Sequence, residues 1–373
     1  MKTALAVIRI IVGVLFIFSG LIKANDPTGL SYKMQEFFEV WGLQSLNNYT
    51  LAFAVVMNAF EIVAGVAILL GWRMRLFSWL LLLLIIFFTF LTGFALFSGK
   101  IKTCGCFGDC IPLTAQQSFI KDLLLLLLIL VIFIKKGIIK PLFSTKSSSV
   151  LISLTVLFCI VSQWFVLNYL PVIDCLAYKK GNNIIEKMKI PTGAVADSFA
   201  IKFRYRKAGK EVIFGSDNFP EDFNDSTYQF IDRVQELIRP GTVAAPITDF
   251  ILYGESGEDT TLPVLNQPNS YVMLLSKDVD EAEEDWSKNA ENVSKACRQK
   301  SIPFYIVTAT SEAAQKQLPA TENIHYLKCD ATVIKTAARV NPTYFLMKQA
   351  NITGKFANSN YKKVIKQLNN IKQ

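Results

Sequence analysis

At 373 residues, with 51% apolar side chains and a mean hydropathy of +0.34, the chain is long enough for two domains or more and too apolar for an ordinary soluble protein. Its net charge of +9 sits in short loops between apolar stretches and in lysines scattered over the second half. No basic stripe carries interleaved aromatics, so a nucleic-acid partner is excluded.

The apolar excess falls in the first half, as five stretches over 3–22, 50–70, 76–97, 115–134 and 150–170. Each is close to the ~20 residues a helix needs to cross a bilayer, so five transmembrane helices are expected, with membrane lipid as a partner. The first stretch follows Lys2 and could be a signal peptide, but its length, Arg9, and the lack of a clean cleavage pattern around Lys23-Ala24 favour an uncleaved helix. Lys121 and Asp122 interrupt the fourth; a start near Ala115 keeps both close to one interface, where lysine can snorkel.

Two intramembrane charges, Arg9 in the first helix and Glu61 in the second, invite an Arg9–Glu61 ion pair, since a lone charge among lipid tails is costly. Such a pair could fix helix packing or stand beside a quinone or a proton path. Gly13, Gly20, Gly65 and Gly93 read as close-packing positions between helices.

The loops carrying Arg73 and Arg75, and Lys135, Lys136, Lys140 and Lys146, fall on one side of a five-helix arrangement. Basic loops are cytoplasmic, so the amino terminus is placed there too. The loop between the third and fourth helices, and everything after Leu170, then face the other side, the periplasm of a bacterial inner membrane. That loop reads Cys104-Gly105-Cys106-Phe107-Gly108-Asp109-Cys110, and Cys175 follows the fifth helix on the same face. In an oxidising compartment these four residues can form disulfides or exchange them. Cys104–Cys110 or Cys106–Cys110 would close a small ring more comfortably than Cys104–Cys106, and two disulfides involving Cys175, or one exchanging and one resolving pair, are alternatives. Three thiolates with Cys175 could also hold a metal, but His325 lies far off in sequence and no mixed Cys/His zinc site is supported. Cys159 reads as a packing residue, and Cys297 and Cys329 would pair only if the fold brought them together.

The run Arg9-x3-Gly13-x2-Phe16-x3-Gly20-x2-Lys23-x2-Asp26-Pro27, then Glu61-x3-Gly65-x5-Gly71, resembles the DoxX family of small membrane proteins, and Cys104-Gly105-Cys106-Phe107-Gly108 is similar to the cysteine loop of the related MauE proteins of methylamine utilisation. The likeness covers about the first 145 residues and implies a four-helix membrane bundle with a redox or maturation role.

Beyond the fifth helix, 201–205 and 211–214 read as a β-hairpin and 226–237 as a short helix ending at Arg239-Pro240-Gly241. From Ile247 the expected order is a strand over 249–253, a turn over 254–259, a strand over 271–275, a helix over 282–300, a strand over 303–308, a helix over 333–340, a strand over 344–347, a turn at Gly354 and a closing helix from Tyr361. Strands alternating with helices give an α/β layer domain. That order resembles a periplasmic thioredoxin-like domain, with Asn341, Pro342 and Thr343 at the position of its cis-proline, which in that family faces a substrate or partner. Where the family's Cys-x-x-Cys would stand, the chain reads 276–286 with no cysteine, so this domain cannot run thioredoxin chemistry by itself.

The expected organisation is a DoxX/MauE-like four-helix membrane domain (1–146), a fifth transmembrane helix (147–171), an extracytoplasmic connecting region (172–244) and a degenerate thioredoxin-like domain (245–373). Two functions fit it. One is thiol–disulfide exchange with a periplasmic protein through Cys104, Cys106, Cys110 and Cys175, with electrons passing to or from a quinone. The other is a non-enzymatic maturation factor whose cysteine loop holds a structural disulfide.

Overall fold

The computed structural model describes residues 2–101, 105–190, 198–207, 210–215, 220, 227–239 and 245–371. By internal contacts the chain divides into Met1–Gly181 with Ile251–Gln373, and Asn182–Phe250.

Within the larger unit, α1 (Lys2–Asn25), α2 (Pro27–Val40), α3 (Thr50–Leu70), α4 (Met74–Ser98), α5 (Ala115–Lys135) and α6 (Thr145–Tyr169) follow in order. All but α2 belong to five apolar segments long enough to cross a membrane. Their outer faces carry exposed side chains such as Val14, Val56, Leu83, Leu127 and Phe158, the surface a lipid-facing helix presents. Their inner faces meet in a core of Phe16, Ile68, Leu81, Ile85 and Ile129. The expected helix-packing glycines hold: a Cβ on Gly65 would stand 2.7 Å from the Gly13 carbonyl oxygen, and one on Gly93 would stand 3.2 Å from the Phe119 ring.

The short α2, absent from the sequence reading, has Pro27 in its first turn and Asp26 as its cap, accepting from the Gly29 amide at 2.9 Å.

The carboxy-terminal part of the same unit holds α8 (Thr261–Leu265), β4 (Ser270–Ser276), α9 (Trp286–Gln299), β5 (Phe304–Thr308), α10 (Ser311–Gln317), β6 (Ile324–Lys328), α11 (Ala331–Ala337), β7 (Thr343–Lys348), β8 (Asn351–Ala357) and α12 (Tyr361–Asn369), numbered after α7 and β1–β3 of the smaller unit, whose ranges follow below. The sheet order is β6-β5-β4-β7-β8. β4, β5 and β6 run parallel, β7 runs antiparallel to β4, and β8 antiparallel to β7. Tyr271 through Leu275 are all buried, as a strand covered on both faces requires. Trp286, Ala290, Val293 and Cys297 of α9 join Val364 and Leu368 of α12 in one core over the sheet.

Three expectations here change. Instead of a strand over 249–253, only Tyr253 pairs, in isolated bridges to Asp259 and Lys328, because Asp249 takes a left-handed φ of 58° that breaks an extended run. Gly354 lies inside β8 rather than in a turn; the chain reverses at Gln349, φ 51°. β6, α8 and α10 were not foreseen: each is short, and His325 and Lys328 interrupt the apolar run of β6.

The smaller unit holds α7 (Ile184–Met188) and an antiparallel sheet of β1 (Ser198–Lys207), β2 (Lys210–Gly215) and β3 (Tyr228–Arg239) in the order β2-β1-β3. The hairpin is as expected, with Lys207 opposite Lys210. The helix expected over 226–237 is instead β3, paired with β1 from Tyr228 opposite Lys207 to Arg239 opposite Ser198. Phe230, Ile231, Val234, Leu237 and Ile238 fit a helical stripe, but the open edge of β1 captures the segment as a strand.

Candidate functional site

The cysteine loop lies between two glycine-marked breaks. α4 stops at Gly99 with φ 65°, and Gly105 and Gly108 both take positive φ, closed by the Gly108 amide on the Gly105 carbonyl at 3.0 Å. α5 then starts at a capping box in which Thr114 and Gln117 bond reciprocally. Cys104, one of the expected site residues, lies outside the described residues.

Cys110 is bonded to Cys175, 65 residues later, with a Cα separation of 4.8 Å, and Cys106 is a free thiol. The small rings Cys104–Cys110 and Cys106–Cys110 are therefore not the pairing, because the segment leaving α6 comes directly to the loop. There the Asn25 side chain donates to the Ile173 carbonyl at 2.8 Å and accepts from the Ile173 amide at 3.0 Å. Cys159, Cys297 and Cys329 are buried and free, so the fold does not join the last two.

Both halves of the disulfide follow an aspartate that the α/β region holds. Arg339, between α11 and β7, donates from Nη2 to Asp109 at 2.5 Å and from Nε to Asp26 at 2.8 Å, and its guanidinium lies 5.6 Å from the Tyr32 ring centre. Lys355 of β8 pairs with Asp174 at 2.8 Å. Burial works against the Arg339 charge, but Asp26 and Asp109 outweigh it and hold its pKa above the ordinary value. At Lys355 burial wins over Asp174 and lowers the pKa. The repeated Asp-Cys pair, Asp109-Cys110 and Asp174-Cys175, was the signal in the sequence that could have linked the two segments.

Beneath the loop, buried charges line the helix bundle. Glu61 does not meet Arg9: it pairs with Lys23, both side chains almost wholly buried. Ser19 Oγ lies 3.1 Å from both Glu61 Oε2 and the Cys106 carbonyl oxygen, either of which can accept its hydrogen bond. α1 and α3 run antiparallel with Gly13 beside Gly65, and this register brings the Arg9 guanidinium next to Gly71, about 15 Å along α3 from Glu61. Arg9 Nε makes no hydrogen bond among the described residues. Asp122 is buried, accepting from Lys121 at 2.5 Å and from Thr92 Oγ1 at 3.1 Å.

Cys106 sits over these groups. Burial pushes its thiol up from the ordinary value, while Lys121 and Lys23 pull the other way. The buried Ser118 hydroxyl approaches the thiol without forming a well-aligned hydrogen bond. Cys106 also lines a cavity of about 610 Å³ between α1, α2, α3 and α4, walled by Phe37, Trp41, Phe60, Phe88 and other apolar side chains, with Ser19, Lys23, Thr92 and Lys121 at its polar end. No group of three or more metal-ligating side chains gathers among the described residues.

Asn341, Pro342 and Thr343 lie two residues beyond Arg339, and the Asn341–Pro342 bond is cis. Asn341 accepts from Ser276 at 2.7 Å and donates to the Asp278 carbonyl at 2.8 Å, and Thr343 is fully buried and donates to the Val340 carbonyl at 2.6 Å. These polar groups are committed within their own domain; the group that reaches the cysteine loop is Arg339.

Residues 1–135 match the family described as methylamine utilisation protein MauE. Residues 199–240 match a family described as a domain of unknown function, DUF8463. No curated protein and no solved structure matches the chain.

Proposed function

Residues 1–135, through the end of α5, match the MauE family, and from that likeness we propose that the protein exchanges disulfides with proteins outside the cytoplasm through Cys106, Cys110 and Cys175. The observation that carries this reading is a free thiol four residues from one half of a disulfide in the same loop. An oxidised pair with a neighbouring thiol is the minimum needed to pass oxidation from one partner to another. In this reading the basic loops face the cytoplasm of a bacterial inner membrane, and the cysteines face the oxidising side. The α/β region is a thioredoxin-like domain that has given up its own redox pair and keeps a docking role over the cysteine loop.

A second reading, a maturation factor with a purely structural bond, draws on the ion pairs that hold Asp109 and Asp174 next to the bonded cysteines. Differential alkylation in growing cells separates the two. Exchange predicts that Cys175→Ser leaves Cys110 trapped in a mixed disulfide with another envelope protein and that Cys106→Ser shifts the thiol state of such proteins. A bond that stays fully oxidised, with variants losing only stability, overturns exchange in favour of the structural reading.

A further inference from the structure

We propose that the cavity beside Cys106 binds an isoprenoid quinone, which accepts the electrons collected by the cysteines; this rests on the exchange reading above. At about 610 Å³ the cavity lies within the ~300–1,000 Å³ range of small-molecule sites. Its walls are aromatic and its polar functions converge at one end, so the occupant is an apolar body with a small polar head. α3 contributes Phe53 and Val56 to the lining, and both side chains are exposed on the surface a lipid would cover, which gives a long tail a lateral way in.

Charge decides what the head is. The three lysines lining the cavity are each already paired, Lys23 with Glu61, Lys33 with Glu36 and Lys121 with Asp122. A phospholipid head would bring a charged phosphate, alone or with its own cation, into a cluster whose lysines are already paired, at a large desolvation cost either way. A quinone head is neutral, and its carbonyl oxygens need only donors. An ammonium group has three N–H donors, so Lys23 and Lys121 can each hold a carboxylate and still donate to a carbonyl.

The chemistry balances. A partner dithiol reduces Cys110–Cys175 and leaves as a disulfide. The Cys106 thiolate then adds to the quinone ring; the Cys110 thiolate attacks the Cys106 sulfur, forming Cys106–Cys110 and releasing the ring with two electrons, and the two thiol protons complete the hydroquinone. The Cys175 thiolate next attacks Cys110, restoring Cys110–Cys175 and freeing Cys106. The net reaction is partner dithiol plus quinone giving partner disulfide plus hydroquinone, and it accounts for a resting state with Cys106 free.

The test uses full-length protein in phosphatidylcholine nanodiscs, reduced with dithiothreitol, desalted and mixed with decylubiquinone. Quinone reduction matched by thiol loss is expected in the wild type and none in Cys106→Ser. Ala52→Trp and Val56→Trp, both on lipid-exposed positions of the lining, should raise the half-saturating decylubiquinone concentration about tenfold while leaving reoxidation by glutathione disulfide unchanged. The site proposal is overturned if decylubiquinone is not reduced or if the tryptophan variants titrate like the wild type. When quinone fails but glutathione disulfide recloses the bond and mixed disulfides still form in cells, the site falls and the exchange reading stands. When no thiol reagent opens and recloses Cys110–Cys175, both fall.

Discussion

At the scale of single residues, the buried Lys23–Glu61 pair is the feature whose removal should be felt most. Neither side chain has an appreciable route to water. Glu61→Ala leaves an ammonium group without its counter-charge and should cost about 3–5 kcal/mol, whereas Lys23→Met with Glu61→Leu should recover most of that loss. Thermal unfolding of the purified protein in detergent checks both; equal destabilisation by the single and double changes would show that the pair does not act as a unit. The presence of Glu61 as a charge needing a partner was legible in the sequence. Its partner was not, because hydropathy gives no rotation or axial offset between helices, and Lys23 reads as the first residue past the apolar stretch, whereas it stands in the last turn of α1 with its side chain buried. Cys110 and Cys175 posed the same problem over a longer span, since sequence separation favours local rings and only the docking of the α6 exit reveals the pairing.

Among the elements, the contact between α1 and α3 depends on missing side chains. A Cβ on Gly65 would stand 2.7 Å from the Gly13 carbonyl oxygen and 3.0 Å from the Ile17 amide nitrogen, backbone atoms that cannot rotate away. Gly65→Val should therefore separate the helices and cost about 1–3 kcal/mol, while Gly137→Ala, with nothing within 4 Å, should be close to neutral. Melting temperatures of the two variants compared with the wild type test the difference. The five apolar helices were legible because length and hydropathy suffice to specify them. β3 was not, because Phe230, Ile231, Val234, Leu237 and Ile238 satisfy a helical stripe and only the free edge of β1 decides otherwise. β6 was missed for the related reason that its five residues include the exposed His325 and Lys328 and acquire their role from pairing with β5.

For the whole molecule, Arg339 ties the α/β region to both α2's cap, Asp26, and the cysteine loop, at Asp109. Arg339→Met removes the counter-charge of Asp26, which is largely buried, and of Asp109, which is nearly half exposed and contributes less. The expected loss is about 2 kcal/mol or more, accompanied by faster alkylation of Cys106 and faster proteolysis between α6 and β4. Unchanged rates for both would mean that the domain is held by other contacts. The sequence announced an α/β domain after the membrane helices but gave no sign that it rests on the cysteine loop, since Arg339 is one basic residue among 39.

The Cys110–Cys175 bond also imposes an order on biosynthesis. Two apolar helices, α5 and α6, separate its halves, so the first cysteine must wait on its side of the bilayer until both have been threaded and the second emerges. Closure of the bond is thus a molecular record that both helices have been threaded.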